Sequence, residues 1–62
     1  MKVYQVPRET YIRFKEKEID EVLLFHKVDG MYSRCSTKEG HMIYIAVWAE
    51  VEVLDGKPED WE

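Results

Sequence analysis

From Val22 to Leu54 stretches rich in apolar, strand-forming residues are interrupted twice by turn-forming residues, at Asp29-Gly30 and at Lys38-Glu39-Gly40. A period of two sends successive side chains to opposite faces of a sheet. The pattern therefore predicts three consecutive antiparallel strands. Asp-Gly suits the two-residue turn that matches strand twist, which predicts Val28 opposite Met31, His26 opposite Ser33 and Leu24 opposite Cys35. Val22, Leu24, His26 and Val28 then face inward, while Leu23, Phe25 and Lys27 face outward. In the second hairpin a three-residue turn with Gly40 in the left-handed region pairs Cys35 with Ile43, Ser33 with Ile45 and Met31 with Val47. A turn one residue shorter would set Tyr44 against Cys35 and break the match of apolar faces.

The inward set beyond Ile43 continues as Ile45, Val47, Ala49, Val51 and Val53, and predicts one long, bent strand. Before Val22 the signal is weaker. Lys2 to Val6 alternates and predicts a first strand that Pro7 ends or confines to an edge. Tyr11 to Phe14 predicts a second, with Ile12 and Phe14 on one side and Tyr11 and Arg13 on the other. Lys15 to Glu21 has six charged residues in seven and predicts an exposed loop, because one apolar anchor cannot hold a helix of that length. About five strands, tight turns and one bent strand predict an all-β fold, a small antiparallel barrel or highly curved sheet of the SH3-like kind. Residues 1–62 form a single domain in this reading, with a short acidic tail over about 55–62.

Composition changes the picture in three ways. A chain of 62 residues buries only about 60% of the surface its unfolded form exposes, so stability is marginal. Its single cysteine, Cys35, closes no internal disulfide; a lone thiol suits a reducing compartment, and with no signal-like opening or long apolar run the sequence predicts a soluble intracellular protein. The net charge of −4 is uneven. Residues 1–48 carry eight bases and seven acids, whereas residues 49–62 carry six acids and only Lys57. An acidic end repels phosphates and attracts basic protein surfaces.

Candidate chemistry is sparse. His26, Cys35 and His41 are the only soft metal ligands, one short of a closed zinc site. Cys35 with His26 is the only nucleophile–base pair, and its predicted place is the packed face of one hairpin with no donor for an oxyanion. The sequence thus predicts no enzyme, no metal site and no cofactor. The outward face is denser in signal: Phe25, Lys27, Tyr32, Arg34, Tyr44 and Trp48 interleave aromatic rings with two bases. Such rings bind protein segments, stack on single-stranded nucleic acid, or close a core or a dimer interface. A protein partner is the expectation, single-stranded nucleic acid or self-association the alternatives, and no membrane contact is expected.

The run Phe25-His26-Lys27-Val28-Asp29-Gly30-Met31-Tyr32-Ser33-Arg34-Cys35, followed by Ala46-Val47-Trp48-Ala49-Glu50-Val51-Glu52-Val53, resembles short proteins of tailed bacteriophages that share FHxxDGMYSxC, a glycine turn and AxWxEVEV. The resemblance covers a little under half the chain. It implies action in the cytoplasm of an infected bacterium or in a virion, through contact with a host or virion protein, and it assigns no functional residue.

Overall fold

A computed structural model describes residues 1–61; Glu62, the last acid of the predicted tail, lies outside them. Five antiparallel strands form one sheet: β1 (Thr10–Glu16), β2 (Ile19–Asp29), β3 (Tyr32–Ser36), β4 (Met42–Ala46) and β5 (Glu52–Val53). Their spatial order is β4-β3-β2-β1-β5. The expected small, curved, all-β fold is therefore present, with the sheet open between β4 and β5. Among the described residues no helix is long and apolar enough to cross a membrane.

The second hairpin forms as its glycine dictates. Cys35 lies opposite Ile43, Ser33 opposite Ile45 and Arg34 opposite Tyr44, and Gly40 takes a φ of +88°. Its N–H donates to the Thr37 carbonyl at 2.9 Å, and the Thr37 N–H donates to the His41 carbonyl at 2.8 Å.

The first hairpin differs from expectation by one residue. Asp29 pairs with Tyr32, so Gly30 and Met31 form the turn. Gly30 has a φ of +70° and Met31 is not in the positive region, the φ pattern of a turn with glycine at its first central position. That turn by itself moves the pairing by two residues and leaves the faces as expected, with Val28 opposite Ser33; the irregularity between Phe25 and Lys27 then shifts it back by one, setting Phe25 opposite Cys35 and Leu24 opposite Ser36, and so exchanges the faces. Leu23 and Phe25 point into the core, where Leu24 and His26 were expected. Burying a phenyl ring removes far more apolar area from water than burying an imidazole, whose nitrogens would also need buried partners. The core's demand is met by the irregularity in the ladder and not by the position of the turn.

Three further expectations give way. Lys15 to Glu21 is no loop; β1 and β2 continue to a two-residue turn at Lys17-Glu18, with Lys15 opposite Asp20 and Glu16 opposite Ile19. Opposite charges facing each other across the strands, and the two bonds of 2.8 Å from the Arg13 guanidinium to Asp20, let this charged ribbon form. The predicted first strand is instead a 3-10 turn at Val3–Gln5, and Val3 and Val6, three residues apart, share its buried side. The predicted long strand is broken. Its eleven residues would span about 36 Å at ~3.3 Å each, more than the 29 Å of the molecule's longest axis. The chain turns after Ala46, with the Ala49 N–H donating to the Ala46 carbonyl at 3.0 Å, and crosses the core to place β5 beside β1.

The core consists of Val3, Val6, Ile12, Leu23, Phe25, Cys35, Ile45 and Val51, with Phe14, Ile43 and Ala49 packed against it. Among the described residues Ser33 is the one polar residue fully buried there, and its hydroxyl donates to the Ile45 carbonyl at 2.9 Å. The described part of the acidic tail folds back instead of extending into water. The Trp61 ring meets Tyr11 edge-on, with centroids 5.2 Å apart, and Lys38 reaches Asp60 at 3.3 Å.

Candidate functional site

Five of the six residues expected on the outward face avoid the core, and one does not. Phe25 is 1% exposed and packs in the core, because the irregularity at His26 turns it inward. Lys27, Arg34 and Tyr44 form one cross-strand row, and Tyr32 stands in the next, between Asp29 and Ala46. Tyr32 is 55% and Tyr44 60% exposed. Arg34 is held by Asp29, with Nη2 3.0 Å from the carboxylate, so Lys27 is the cation of this row with no ion-pair partner among the described residues.

Trp48 is 54% exposed but lies past the end of β4. It lines a cleft of about 570 Å³ between β4 and the far end of the β1–β2 hairpin, together with Phe14, Glu16, Ile19, Glu21 and Ile43. Tyr44 borders both this cleft and the hollow above Tyr32 and Asp29, which makes it the residue that joins the two surfaces. The hairpin side of the cleft was not legible as a surface in the sequence. Reading Lys15 to Glu21 as a loop hid the alternation that places Phe14 opposite Glu21 and Glu16 opposite Ile19 on one face.

The register also separates the only nucleophile–base pair seen in the sequence. Cys35 is buried, and burial pushes its thiol up from the ordinary value, against a smaller opposing effect of the Ser33 hydroxyl. His26 leaves by the other side. Its Nε2 lies 2.6 Å from the Ser36 hydroxyl and its Nδ1 3.1 Å from Glu9. With the proton on Nδ1, Glu9 accepts from the ring and Ser36 donates to it, the order of groups that activates a serine. Acyl transfer needs in addition preorganised donors in a water-excluded site, whereas Glu9 is exposed on the surface. The three groups satisfy one another beside the irregularity in the ladder. The partner expected for His26, Ser33, is instead bonded to Ile45. Among the described residues no three potential metal ligands cluster.

No protein-family model, curated protein or solved structure matches this chain.

Proposed function

We propose that this protein is a small, non-enzymatic binding module, encoded by a phage, that acts by contact with a host or virion protein in the cytoplasm of an infected bacterium or in the particle. The observation that carries this reading is the concentration of exposed rings at one end of the sheet. Tyr32, Tyr44 and Trp48 each keep more than half their surface in water, on or beside an edge strand, and Tyr44 and Trp48 line the cleft. Aromatic residues of this kind, large and with few rotors, anchor protein interfaces. The phage setting comes from the sequence resemblance alone.

The test is capture from bacterial lysate on the immobilised protein, comparing it with Tyr44→Ala, Trp48→Ala and, on the opposite edge, Glu52→Ala. A partner retained by the protein and by Glu52→Ala, and lost with either aromatic substitution, is the expected result. Retention of the same set by all four, or of nothing, rejects the reading.

A second reading, stacking of single-stranded nucleic acid on Tyr32 and Tyr44, is favoured by the cross-strand row of Lys27, Arg34 and Tyr44. It is weakened by the inward turn of Phe25 and by the Asp29 partner of Arg34. Binding of that kind falls steeply with salt, so a flat oligonucleotide titration at low salt removes it.

A further inference from the structure

The two edges of the sheet are built differently. β5 is two residues long and carries Glu52, as expected of an edge protected against pairing. β4, Met42-Ile43-Tyr44-Ile45-Ala46, is five residues long and contains neither a charge nor a proline. Among the described residues no strand pairs with its outer side. Hydrogen bonds flank β4 at Thr37–His41 and at Val47–Met31, the latter 3.1 Å. Because bonded and non-bonded pairs alternate along an antiparallel ladder, the Cys35–Ile43 and Ser33–Ile45 pairs are bonded. The N–H and C=O of Met42 and Tyr44 and the N–H of Ala46 then point to the open side. The Ala46 carbonyl is already taken by Ala49.

Across the cleft, the facing side of the β1–β2 hairpin carries two kinds of side chain. Phe14 and Ile19 are apolar, and Ile19 is 52% exposed. Glu16 and Glu21 stand beside them, and neither has an ion-pair partner among the described residues. Of the bases at this end of the hairpin, Arg13 and Lys15 fall on the other face, where Arg13 is engaged by Asp20, and Lys17 stands in the turn itself. The cleft therefore offers unpaired backbone on one wall and apolar and acidic groups on the other.

We propose that an extended segment of a partner protein adds to β4 as a sixth strand, with an apolar and a basic side chain at positions i and i+2 directed into the cleft. This deepens the protein-contact reading and rests on it. About five residues pair with Met42–Ala46, their main chain meeting Met42, Tyr44 and Ala46. Side chains of one parity meet Phe14, Ile19, Glu16 and Glu21. Those of the other parity lie beside Tyr44 and Tyr32 on the outer face. A second copy of this chain is a poorer occupant, because its own β4 brings no base to the two glutamates.

The probe is the peptide Thr-Val-Thr-Lys-Thr-Val-Thr, capped at both ends, titrated to millimolar concentration into the labelled protein and followed by amide NMR. The expected result is saturable shifts at Met42, Tyr44 and Ala46 and at Phe14 and Ile19, with binding about fivefold or more tighter than for the same peptide with glutamate in place of lysine. The double variant Glu16→Lys, Glu21→Lys, changed at two exposed positions, reverses that preference, an outcome that a misfolded protein would not give. N-methylation of the valines and lysine, or of the threonines, abolishes binding in one case only, since alternate amides face alternate edges. Equal binding of the lysine and glutamate peptides, an equal response to both methylation patterns, or no shift with any peptide overturns strand addition. So does a concentration-dependent dimer that protects the Tyr44 amide, which would identify the occupant as a second copy. If the peptides fail while lysate capture still depends on Tyr44 or Trp48, protein contact stands and strand addition does not.

Discussion

Phe25 and Trp48 divide the labour of the large rings, one sealing the core and the other left half in water. Phe25→Ala opens a cavity among Leu23, Ile12 and Cys35 and is expected to cost about 3–5 kcal/mol, a large part of the stability of a domain this small. Trp48→Ala, which loses only the half of the ring that packs at the cleft, is expected to cost about 1–1.5 kcal/mol. Urea unfolding of the two variants checks both, and the reverse order would place the strand's other face in the core. Cys35 makes a second statement at this scale. Its thiol is held above the ordinary 9.0 by burial, so the folded state binds the proton more tightly than the unfolded one. The stabilisation is complete below about pH 9 and is lost as pH rises from there through the folded value. Unfolding midpoints measured between pH 8 and pH 11 should fall across that range, and Cys35→Ala should flatten the fall. An unchanged slope would show that the thiol does not carry it.

At the scale of elements, turns decide register, and their strain is measurable. Gly40 sits at a φ of +88° with nothing within 4 Å of where a Cβ would stand, so Gly40→Val costs at least the backbone strain, about 1–2 kcal/mol. Lys17 is the opposite case, a residue with a Cβ held at a φ of +52° in the β1–β2 turn. Lys17→Gly relieves that strain and gives back part of the gain through the greater freedom of the unfolded chain, for a net stabilisation of about 0.5–1 kcal/mol. Thermal melts of both variants decide it. A Lys17→Gly variant less stable than the parent would mean that the ribbon does not turn at that residue. The second hairpin was legible because one residue type, glycine, and one apolar pattern agreed on a single register. The first was not, because burying Leu23 and Phe25 takes an irregularity between Phe25 and Lys27 that no local residue pattern announces.

For the whole molecule, closure depends on parts distant in sequence. The N-terminal 3-10 turn is fastened by the Val3 N–H to the Ala49 carbonyl and the Tyr4 N–H to the Val47 carbonyl, each 3.0 Å. At the other end Trp61 covers Tyr11. Trp61→Ala forfeits about 0.5–1.5 kcal/mol of aromatic pairing beyond the area it buries, and denaturant unfolding should register at least that loss. No change would mean that the acidic tail adds charge but no structure. The all-β class, the second hairpin with Gly40 at its turn and the split of Ile12 and Phe14 from Tyr11 and Arg13 were set by local pattern, since glycine geometry and a period of two act over a few residues. The inward turn of Phe25, the break of the predicted long strand, the ribbon of Lys15 to Glu21 and the cleft it forms with β4 were decided by the tertiary structure. Each depends on what packs or pairs across the molecule: a core that takes the larger apolar side chain, a domain shorter than the strand, charges that find opposite partners only when two strands lie side by side.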